Sequence, residues 1–167
     1  EYTDLLGRVV AKSYKVEVDA STQETYDYSQ GTDNTTCSSC VTKYFHTYYL
    51  YDDLDRQTYV LPQGALDELQ STNSFDETDP VFTKWIYGYH YDEKGRQIEK
   101  KIPGKEWEYF VYDNLDNLIM SQDGKDRDQS GWKCFKYDAL HRNTVSGYSL
   151  QYTGSRANVQ QAADNYC

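Results

Sequence analysis

The feature that most constrains this chain is a six-residue motif that recurs along it. Four copies share the pattern Tyr-Asp-x-x-(Gly/Asp/His)-(Arg/Asn) and begin at Tyr51, Tyr91, Tyr112 and Tyr137. A fifth copy begins at Thr3 and has lost the tyrosine. Successive copies fit a unit of roughly 20–25 residues that is used once or twice per interval, with Tyr26-Asp27 and Phe75-Asp76 as degenerate copies in the long intervals. Such a repeat predicts one supersecondary unit used several times.

The motif has the chemistry of a tight turn. An Asp at the first position of a type I turn accepts hydrogen bonds from the backbone two residues later. The fourth position of such a hairpin commonly adopts a left-handed conformation, which Gly takes without strain and which Asn, Asp and His favour most among other residues. The first-position residues are Asp4, Asp52, Asp92, Asp113 and Asp138, and the fourth-position residues are Gly7, Asp55, Gly95, Asp116 and His141. We therefore expect five similar chain reversals.

Extended arms are expected on both sides of each turn. Tyr87, Tyr89 and Tyr91 lie two residues apart and would share one face of a strand. Return arms follow over 57–61, 97–102, 118–122 and 143–147. The sequence thus predicts a mainly β fold in a single segment, 1–167, whose antiparallel hairpins form a curved or spiralling sheet. The repeats lie near 3–13, 49–62, 89–103, 110–122 and 135–147.

Three stretches depart from this pattern. Short helices are expected over 65–69 and 79–86, the second with Asp79 as N-cap and Pro80 at its first position, which gives a helical excursion around 64–86. Residues 19–39 are rich in Ser, Thr, Asn and Asp, which is typical of a polar loop or weak hairpin. Residues 150–167 are expected to leave the repeats as an irregular segment.

Composition and charge exclude several functions. The net charge of −10 would repel phosphate backbones, so we expect no nucleic-acid binding. No run approaches the roughly 18 apolar residues of a membrane span. Residues 1–30 lack the regions of a secretory signal, and we expect any signal peptide to belong to an upstream part of a longer chain. The 18 Tyr, 5 Phe and 3 Trp predict an aromatic core.

The repeats resemble those of a known family. Residues 89–104, 109–124 and 136–142 are similar to the YD repeats of RHS-type proteins, in particular the long forms found in Bacteroidetes. Residues 47–62 resemble the repeat just upstream in those forms, so the similarity spans nearly the whole chain. A lone Tyr-Asp carries no information, whereas four ordered copies are specific.

The resemblance implies a long antiparallel sheet that winds into a hollow shell in RHS proteins, toxin-complex components and teneurins. In polymorphic toxins the shell encloses a variable C-terminal toxin, and in other members its surface mediates contact between cells or with glycans. A secreted or cell-surface protein is implied, with the rest of the parent shell, an enclosed toxin and glycans as partners. The chain shows neither the family's C-terminal core motif, with its self-cleaving Asp residues, nor a toxin domain. Autoproteolysis and toxicity are therefore assigned to no residue here.

The histidines and carboxylates are the candidate catalytic residues. His46, His90 and His141 lie far apart in sequence, and the last two have structural explanations, between core-facing tyrosines and in a turn. The repeated Asp residues have the turn role described above. No Gly-rich phosphate loop or Ser nucleophile motif is present. We expect no enzymatic activity, no cofactor and no metal site.

Four cysteines leave several alternatives open. Cys37 and Cys40 form a Cys-x-x-Cys pair, and Cys134 and Cys167 lie far from it. We expect free thiols or disulfides, either between Cys37 and Cys40 or from this pair to Cys134 and Cys167. A structural zinc site normally needs four ligands, often two such pairs, and so zinc binding and redox chemistry are the alternatives.

Aromatic surfaces give a second candidate function. Aromatic rings can stack on sugars, and Trp85, Trp107 and Trp132 are the candidates for such a platform, although packing within the sheet is the ordinary role of tryptophan. The sequence therefore predicts a non-catalytic structural and interaction module, with a carbohydrate-binding surface module as the alternative. Unpaired sheet edges predict weak self-association.

Overall fold

The computed structural model describes residues 1–19, 25–26, 40–69, 74–152 and 154–166. These residues form eleven strands and four short helices. The strands are β1 (Tyr2–Thr3), β2 (Val9–Asp19), β3 (Thr25–Tyr26), β4 (Cys40–Tyr51), β5 (Gln57–Leu61), β6 (Tyr87–Tyr91), β7 (Gln97–Lys101), β8 (Glu108–Tyr112), β9 (Leu118–Gln122), β10 (Trp132–Tyr137) and β11 (Asn143–Ser149). The helices are α1 (Gln63–Leu69), α2 (Pro80–Trp85), α3 (Gly124–Asp128) and α4 (Arg156–Tyr166).

The strands form one open antiparallel sheet. Its order is β1-β2-β4-β5-β6-β7-β8-β9-β10-β11, and β3 pairs with β2 beside this path. Neighbours in sequence are neighbours in space because each repeat turn reverses the chain into a hairpin. The mainly β class and the antiparallel hairpins predicted from the sequence are confirmed, and β1 and β11 lie at the two ends of the path.

All five repeat turns share one geometry. Asp52 Oδ1 accepts the backbone N–H groups of Leu54 and Arg56, each at 2.9 Å. The N–H of Asp55 donates to the carbonyl of Asp52 at 3.1 Å. The other four turns repeat these bonds. The fourth-position residue always has positive φ: Gly7 81°, Asp55 63°, Gly95 82°, Asp116 63° and His141 58°.

Every repeat hairpin also shifts register at its motif. His90 pairs with Glu99, whereas Tyr91 pairs with Gln97, so two residues of β7 oppose one of β6. The same shift occurs in the other four hairpins, just before Thr3, Tyr51, Tyr112 and Tyr137. A bulge bends the strand and re-aims nearby side chains. Alternation along the strand therefore does not by itself fix the direction of the motif tyrosine.

The helical excursion around 64–86 is confirmed by α1 and α2. Asp79 is the N-cap residue and Pro80 begins α2 as predicted, but the Asp79 carboxylate accepts the N–H of Asp76 at 2.6 Å instead of capping the helix. The degenerate copy Phe75-Asp76 starts like a repeat turn, with Asp76 Oδ1 accepting the N–H of Thr78 at 2.8 Å. It runs into α2 instead of a return strand, since Pro80 favours a helix start.

Two helices were not predicted. α3 follows the N-cap Asp123, whose carboxylate accepts the N–H of Asp126, while the Asp126 carboxylate accepts the N–H of Asp123. The hydrogen bond from the Asp126 backbone is the main cause that lowers the pKa of Asp123 to about 2. The expectation of an irregular segment over 150–167 is wrong, because residues 156–166 form α4 and bury Val159.

The stretch 19–39 lies mostly outside the described residues. Within it, the structure places Asp19 at the end of β2 and pairs β3 with β2. The remainder, including Asp27 of the degenerate copy Tyr26-Asp27, is not described.

Among the described residues, the core consists of two separate clusters. The first joins α1 and α2 to β5 through Leu61, Ala65, Leu69, Phe82 and Ile86. The second joins α4 to β8, β9 and β10 through Val111, Met120, Trp132 and Val159. Phe82 and Trp132 are fully buried, but so are Ile86 and Val111. The core is therefore part aromatic and part aliphatic, and the repeat tyrosines lie outside its fully buried centre.

Replacement of Gly95 by Val tests the turn geometry. We expect the free energy of unfolding to fall by about 1–3 kcal/mol, because a β-branched residue at positive φ is strained. A Cβ at Gly95 meets no atom within 4 Å, so the loss would come from the backbone alone. Gly95→Asn is the matched control and should lose much less. Urea unfolding measures both, and equal losses for Val and Asn would contradict the assignment.

Candidate functional site

Each motif tyrosine contacts the hairpin that precedes it. The Tyr51 hydroxyl donates to the carbonyl of Val9 at 2.9 Å. The same bond joins Tyr91 to Gln57 at 2.9 Å, Tyr112 to Gln97 at 2.8 Å and Tyr137 to Leu118 at 2.9 Å. In all four cases the acceptor is the first residue after the preceding motif. The hydroxyl therefore bonds one repeat to the next at a fixed register.

Three of the four motif arginines make the reciprocal contact. The guanidinium carbons of Arg8, Arg56 and Arg96 lie 5.1, 5.0 and 4.9 Å from the ring centroids of Tyr51, Tyr91 and Tyr112. These distances are within the range of a cation–π interaction. Each of these Arg Nε atoms also donates to the Asp carboxylate of its own turn at 2.6–2.7 Å. One arginine thus closes its own turn and covers the tyrosine of the next repeat.

The same arginines bond to the next turn. Arg56 Nη1 donates to the carbonyl of Asp92 at 2.9 Å. Arg96 Nη1 donates to the Asp113 carbonyl at 3.1 Å and to Asp116 Oδ1 at 2.8 Å. Arg8 pairs in the same way with the carboxylate of Asp55. We call the whole set of inter-repeat contacts the YD ladder, formed by Arg8, Arg56, Arg96, Asn117, Tyr51, Tyr91, Tyr112, Tyr137 and the turn residues that they contact.

The fourth motif shows that the ladder tolerates a matched change. Asn117 replaces arginine, and its Nδ2 donates to Asp113 Oδ2 at 2.8 Å as the arginine Nε does elsewhere. Its Oδ1 lies 2.7 Å from Nδ1 of His141 in the next turn. An acidic fourth-position residue thus faces a preceding Arg, and a His faces the preceding Asn. Where the fourth position has a side chain, at Asp55, Asp116 and His141, it therefore has a second role in addition to its backbone conformation.

Strand pairing between adjacent hairpins is short at three of these junctions. β5 and β6 pair at Tyr59↔Gly88 and Val60↔Tyr87, and β7–β8 and β9–β10 also pair at two positions each. These pairs lie away from the repeat turns. The YD ladder joins the hairpins at the turn end, where Tyr91 reaches Gln57. Adjacent hairpins are therefore joined by side chains at the turn end and by backbone hydrogen bonds at the other end.

The turn carboxylates remain ionised because of their partners. Burial opposes ionisation of Asp92, but the hydrogen bonds from the Arg96 side chain and backbone outweigh it, so the pKa of Asp92 lies below its ordinary value. In the last repeat the Arg142 backbone and side chain are the main causes that lower the pKa of Asp138. The pKa values of Asp4, Asp52 and Asp113 are lowered as well.

A second polar group, the His90 cluster, lies beside the first core cluster. It consists of Tyr59, Glu77, His90, Glu99, Trp107 and Arg156. His90 Nδ1 lies 2.7 Å from Glu99 Oε2, and Nε2 lies 2.8 Å from Glu77 Oε1. The imidazole stacks on Trp107 with ring centroids 4.5 Å apart.

The outer members of the His90 cluster connect it to other elements. The Tyr59 hydroxyl donates to Glu77 Oε1 at 2.6 Å. Arg156 Nε lies 3.7 Å from Glu99 Oε1. The cluster thus ties β5, the loop before α2, the β6–β7 hairpin and α4 together. Both ring nitrogens face carboxylates, which suits a protonated imidazole with two N–H donors.

The histidine and tryptophan candidates lie in separate places. The backbone N–H of His46 bonds to Gln63, His90 lies in its cluster and His141 lies in the YD ladder. Trp132 has no exposed surface, so its prediction as a glycan platform is wrong; the second core cluster covers it. Trp85 donates to Glu68 at 2.9 Å and lies under Lys84, while Trp107 packs on Phe82 and His90.

The cysteine predictions mostly fall outside the described residues. Cys37 and Cys167 are not described, and of Cys40 the structure gives only its backbone at the start of β4. Cys134 carries a free thiol, and burial raises its pKa. Among the described residues no group of His, Cys, Asp and Glu side chains is arranged to hold a metal ion. None of the four described helices has the length and hydrophobicity of a membrane span.

The chain is similar in fold to small parts of much larger solved chains. It matches the crystal structure of TcdB2-TccC3-TEV with a TM-score of 0.56 and 10% identity, over 92% of this chain and 6% of that chain. It matches TcdB2-TccC3 without hypervariable C-terminal region with a TM-score of 0.57 and 9% identity, over 98% of this chain and 7% of that chain. At such identities the likeness shows a shared fold. No family model and no curated protein matches the sequence.

The His90 cluster predicts a dependence of stability on pH. The hydrogen bond to Glu99 is the main cause that raises the pKa of His90, burial opposes it, and Glu77 adds to it. A raised pKa in the folded state means that the stabilisation is fully present below the ordinary value of 6.5 and is lost as pH rises through the folded value. We expect the free energy of unfolding to fall over this window by at most about 1.4 kcal/mol per pH unit.

The variant His90→Gln measures this contribution. It should remove the fall in stability above pH 6.5, as followed by urea unfolding at a series of pH values. His46→Gln, which replaces a histidine outside the His90 cluster, is the matched control for the substitution itself. A His90→Gln profile that is parallel to that of the unmodified protein would contradict the assignment.

Proposed function

We propose that this chain is a non-catalytic wall segment of an RHS-type β-shell. The observation that carries the proposal is the YD ladder. Because the same contacts join each hairpin to the next, any number of hairpins can be added to the sheet in this way. The polar side chains of the motif are used within the fold: Asp in its turn, Arg in two turns and Tyr in the neighbouring hairpin. A module built in this way acts by enclosure or by contact, and not by catalysis.

The fold comparisons support this proposal. Nearly all of the chain matches less than a tenth of each TcdB2-TccC3 chain, which is what one stretch of a larger wall would show. The resemblance of the repeats to those of RHS-type proteins supports two further parts of the proposal. The parent protein is secreted or on the cell surface, of the long form found in Bacteroidetes, and its shell encloses a C-terminal toxin. The proposed partners are therefore the remainder of the shell and its enclosed domain.

The open end of the sheet gives the test. β11 pairs with β10 on one side, and Asn143 to Tyr148 are exposed. Inside a wall, the outer side of β11 would pair with further chain. Hydrogen exchange of residues 143–149 should therefore be slower by about tenfold or more in the full-length parent protein than in this chain alone, since paired amides exchange only when the sheet opens.

The internal turn at residues 92–96 is the reference for this experiment. Its amides are bonded within the chain and should exchange at the same rate in both forms. Equal exchange of 143–149 in the parent protein and in the isolated chain would contradict a role as a wall segment.

A further inference from the structure

The last repeat presents the ladder contacts without a following repeat. Arg142 bonds to Asp138 of its own turn at 2.7 Å, as the other arginines bond to theirs. Its side chain is 72% exposed, whereas those of Arg8, Arg56 and Arg96 are 28%, 25% and 16% exposed. The difference arises because each inner arginine is covered by the tyrosine of the next hairpin. Arg142 is therefore in the ladder conformation with its outer face open to solvent.

The backbone carbonyl that follows the last motif is also in the position of its equivalents in the earlier repeats. The carbonyls that accept tyrosine hydroxyls belong to Val9, Gln57, Gln97 and Leu118, each the first residue after a motif. The equivalent residue of the last repeat is Asn143, the first residue of β11. Within the described residues β11 pairs only with β10, so its outer edge continues the interface by which each hairpin already joins the next. Arg142 and Asn143 together form the receiving half of a repeat junction.

A second copy of this chain does not supply the other half. At the opposite end of the sheet the motif carries Thr3 where the other copies carry Tyr, and β1 has two residues. Head-to-tail stacking of copies would therefore place Thr3 against Arg142. Thr3 has no ring to pack on the guanidinium, and its hydroxyl lies on a much shorter side chain than that of the tyrosine that reaches the equivalent backbone carbonyl in the other repeats. The complementary half is a hairpin that carries its own tyrosine.

We propose that the β11 edge is a docking site for a Tyr-Asp hairpin with an acidic residue at its fourth turn position. The tyrosine hydroxyl bonds to the Asn143 carbonyl, and its ring packs against the Arg142 guanidinium. The acidic residue pairs with the outer nitrogens of Arg142, as Asp55 does with Arg8 and Asp116 with Arg96, at two of the three arginine junctions. At the third, the turn has Gly95 at this position and Arg56 bonds to the Asp92 carbonyl. This inference rests on the proposed function as a wall segment, and it specifies which chemistry the wall recognises at this edge.

A peptide that copies residues 47–62 is the probe, because it carries Tyr51, Asp52 and Asp55 in the required order. It is cyclised through its backbone, since an isolated hairpin is only marginally stable. Added to the intact, isotope-labelled chain, it should shift the NMR signals of β11 and of Arg142. Shifts that map elsewhere, or no binding at the highest soluble peptide concentration, would overturn the proposal.

Variants on both partners identify the contacts. Tyr51→Phe in the peptide should weaken binding by about two- to tenfold, since it removes one hydrogen bond and leaves the protein unchanged. Arg142→Gln in the protein should weaken it by about tenfold, because the cation–π contact and the acidic partner are both lost. Lys136→Gln removes a positive charge from exposed Lys136 on β10 and is the matched control, for which the affinity should not change. Equal affinities for Arg142→Gln and the control would show that the motif is not recognised.

Two further outcomes separate this inference from its premise. If light scattering shows a dimer and its NMR shifts map to β11, the edge belongs to a second copy and the hairpin proposal is wrong. A second outcome is that hydrogen exchange at β11 slows in the full-length protein while the variant peptides bind as tightly as the unmodified peptide. This result would support the role as a wall segment and contradict the recognition of a tyrosine by Arg142.

Discussion

The contact on which the sheet depends is the pair formed by a motif arginine and the tyrosine of the next repeat. Backbone pairing between the hairpins at β5–β6, β7–β8 and β9–β10 covers only two positions at each junction, and the two hydrophobic clusters lie under different hairpins. At the turn end, the β5–β6 and β7–β8 junctions depend on the tyrosine ring, the guanidinium and the hydroxyl. The β9–β10 junction depends on the Tyr137 hydroxyl and on the contact of Asn117 with His141. Each such contact contributes only about 0.5–1.5 kcal/mol, but its repetition from hairpin to hairpin keeps the register along the sheet.

The same contacts explain how an acidic chain concentrates carboxylates at its turns. Each turn Asp accepts two backbone N–H groups and, in four of the five turns, an arginine Nε. These bonds keep the pKa of the carboxylate low although burial would raise it, as for Asp92. The arginine that neutralises one turn also reaches the next, so charge balance and hairpin order come from one side chain. An Arg→Lys change would keep the charge and lose this geometry, because only guanidinium has several donors in a fixed plane.

The sequence predicts what is local in this fold. The Asp of each turn and the positive φ at position four follow from neighbouring residues, and so do the arms of the hairpins and the excursion around α1 and α2. The role of the arginines was missed because it joins residues of successive repeats, such as Arg56 and Tyr91, and depends on the register. A signal was present: acidic Asp55 and Asp116 follow motifs that end in Arg, and His141 follows one that ends in Asn. For Trp132 the sequence left packing and a glycan platform open as alternatives, because its burial depends on a cluster that brings β8, β9, β10 and α4 together. Ser155, whose hydroxyl accepts the N–H of Asn158, marks the start of that helix and could have revealed it.

A double-mutant cycle on Arg56 and Tyr91 tests the central claim most directly. The variants Arg56→Gln and Tyr91→Leu, singly and together, are compared by urea unfolding, with Arg56→Gln and Tyr112→Leu as the reference pair because Tyr112 lies against Arg96 instead. The account predicts a coupling of about 0.5–1.5 kcal/mol for the first pair and, for the second, a value within about 0.3 kcal/mol of zero. A coupling near zero for Arg56 and Tyr91 would show that the hairpins are held together by something other than the YD ladder.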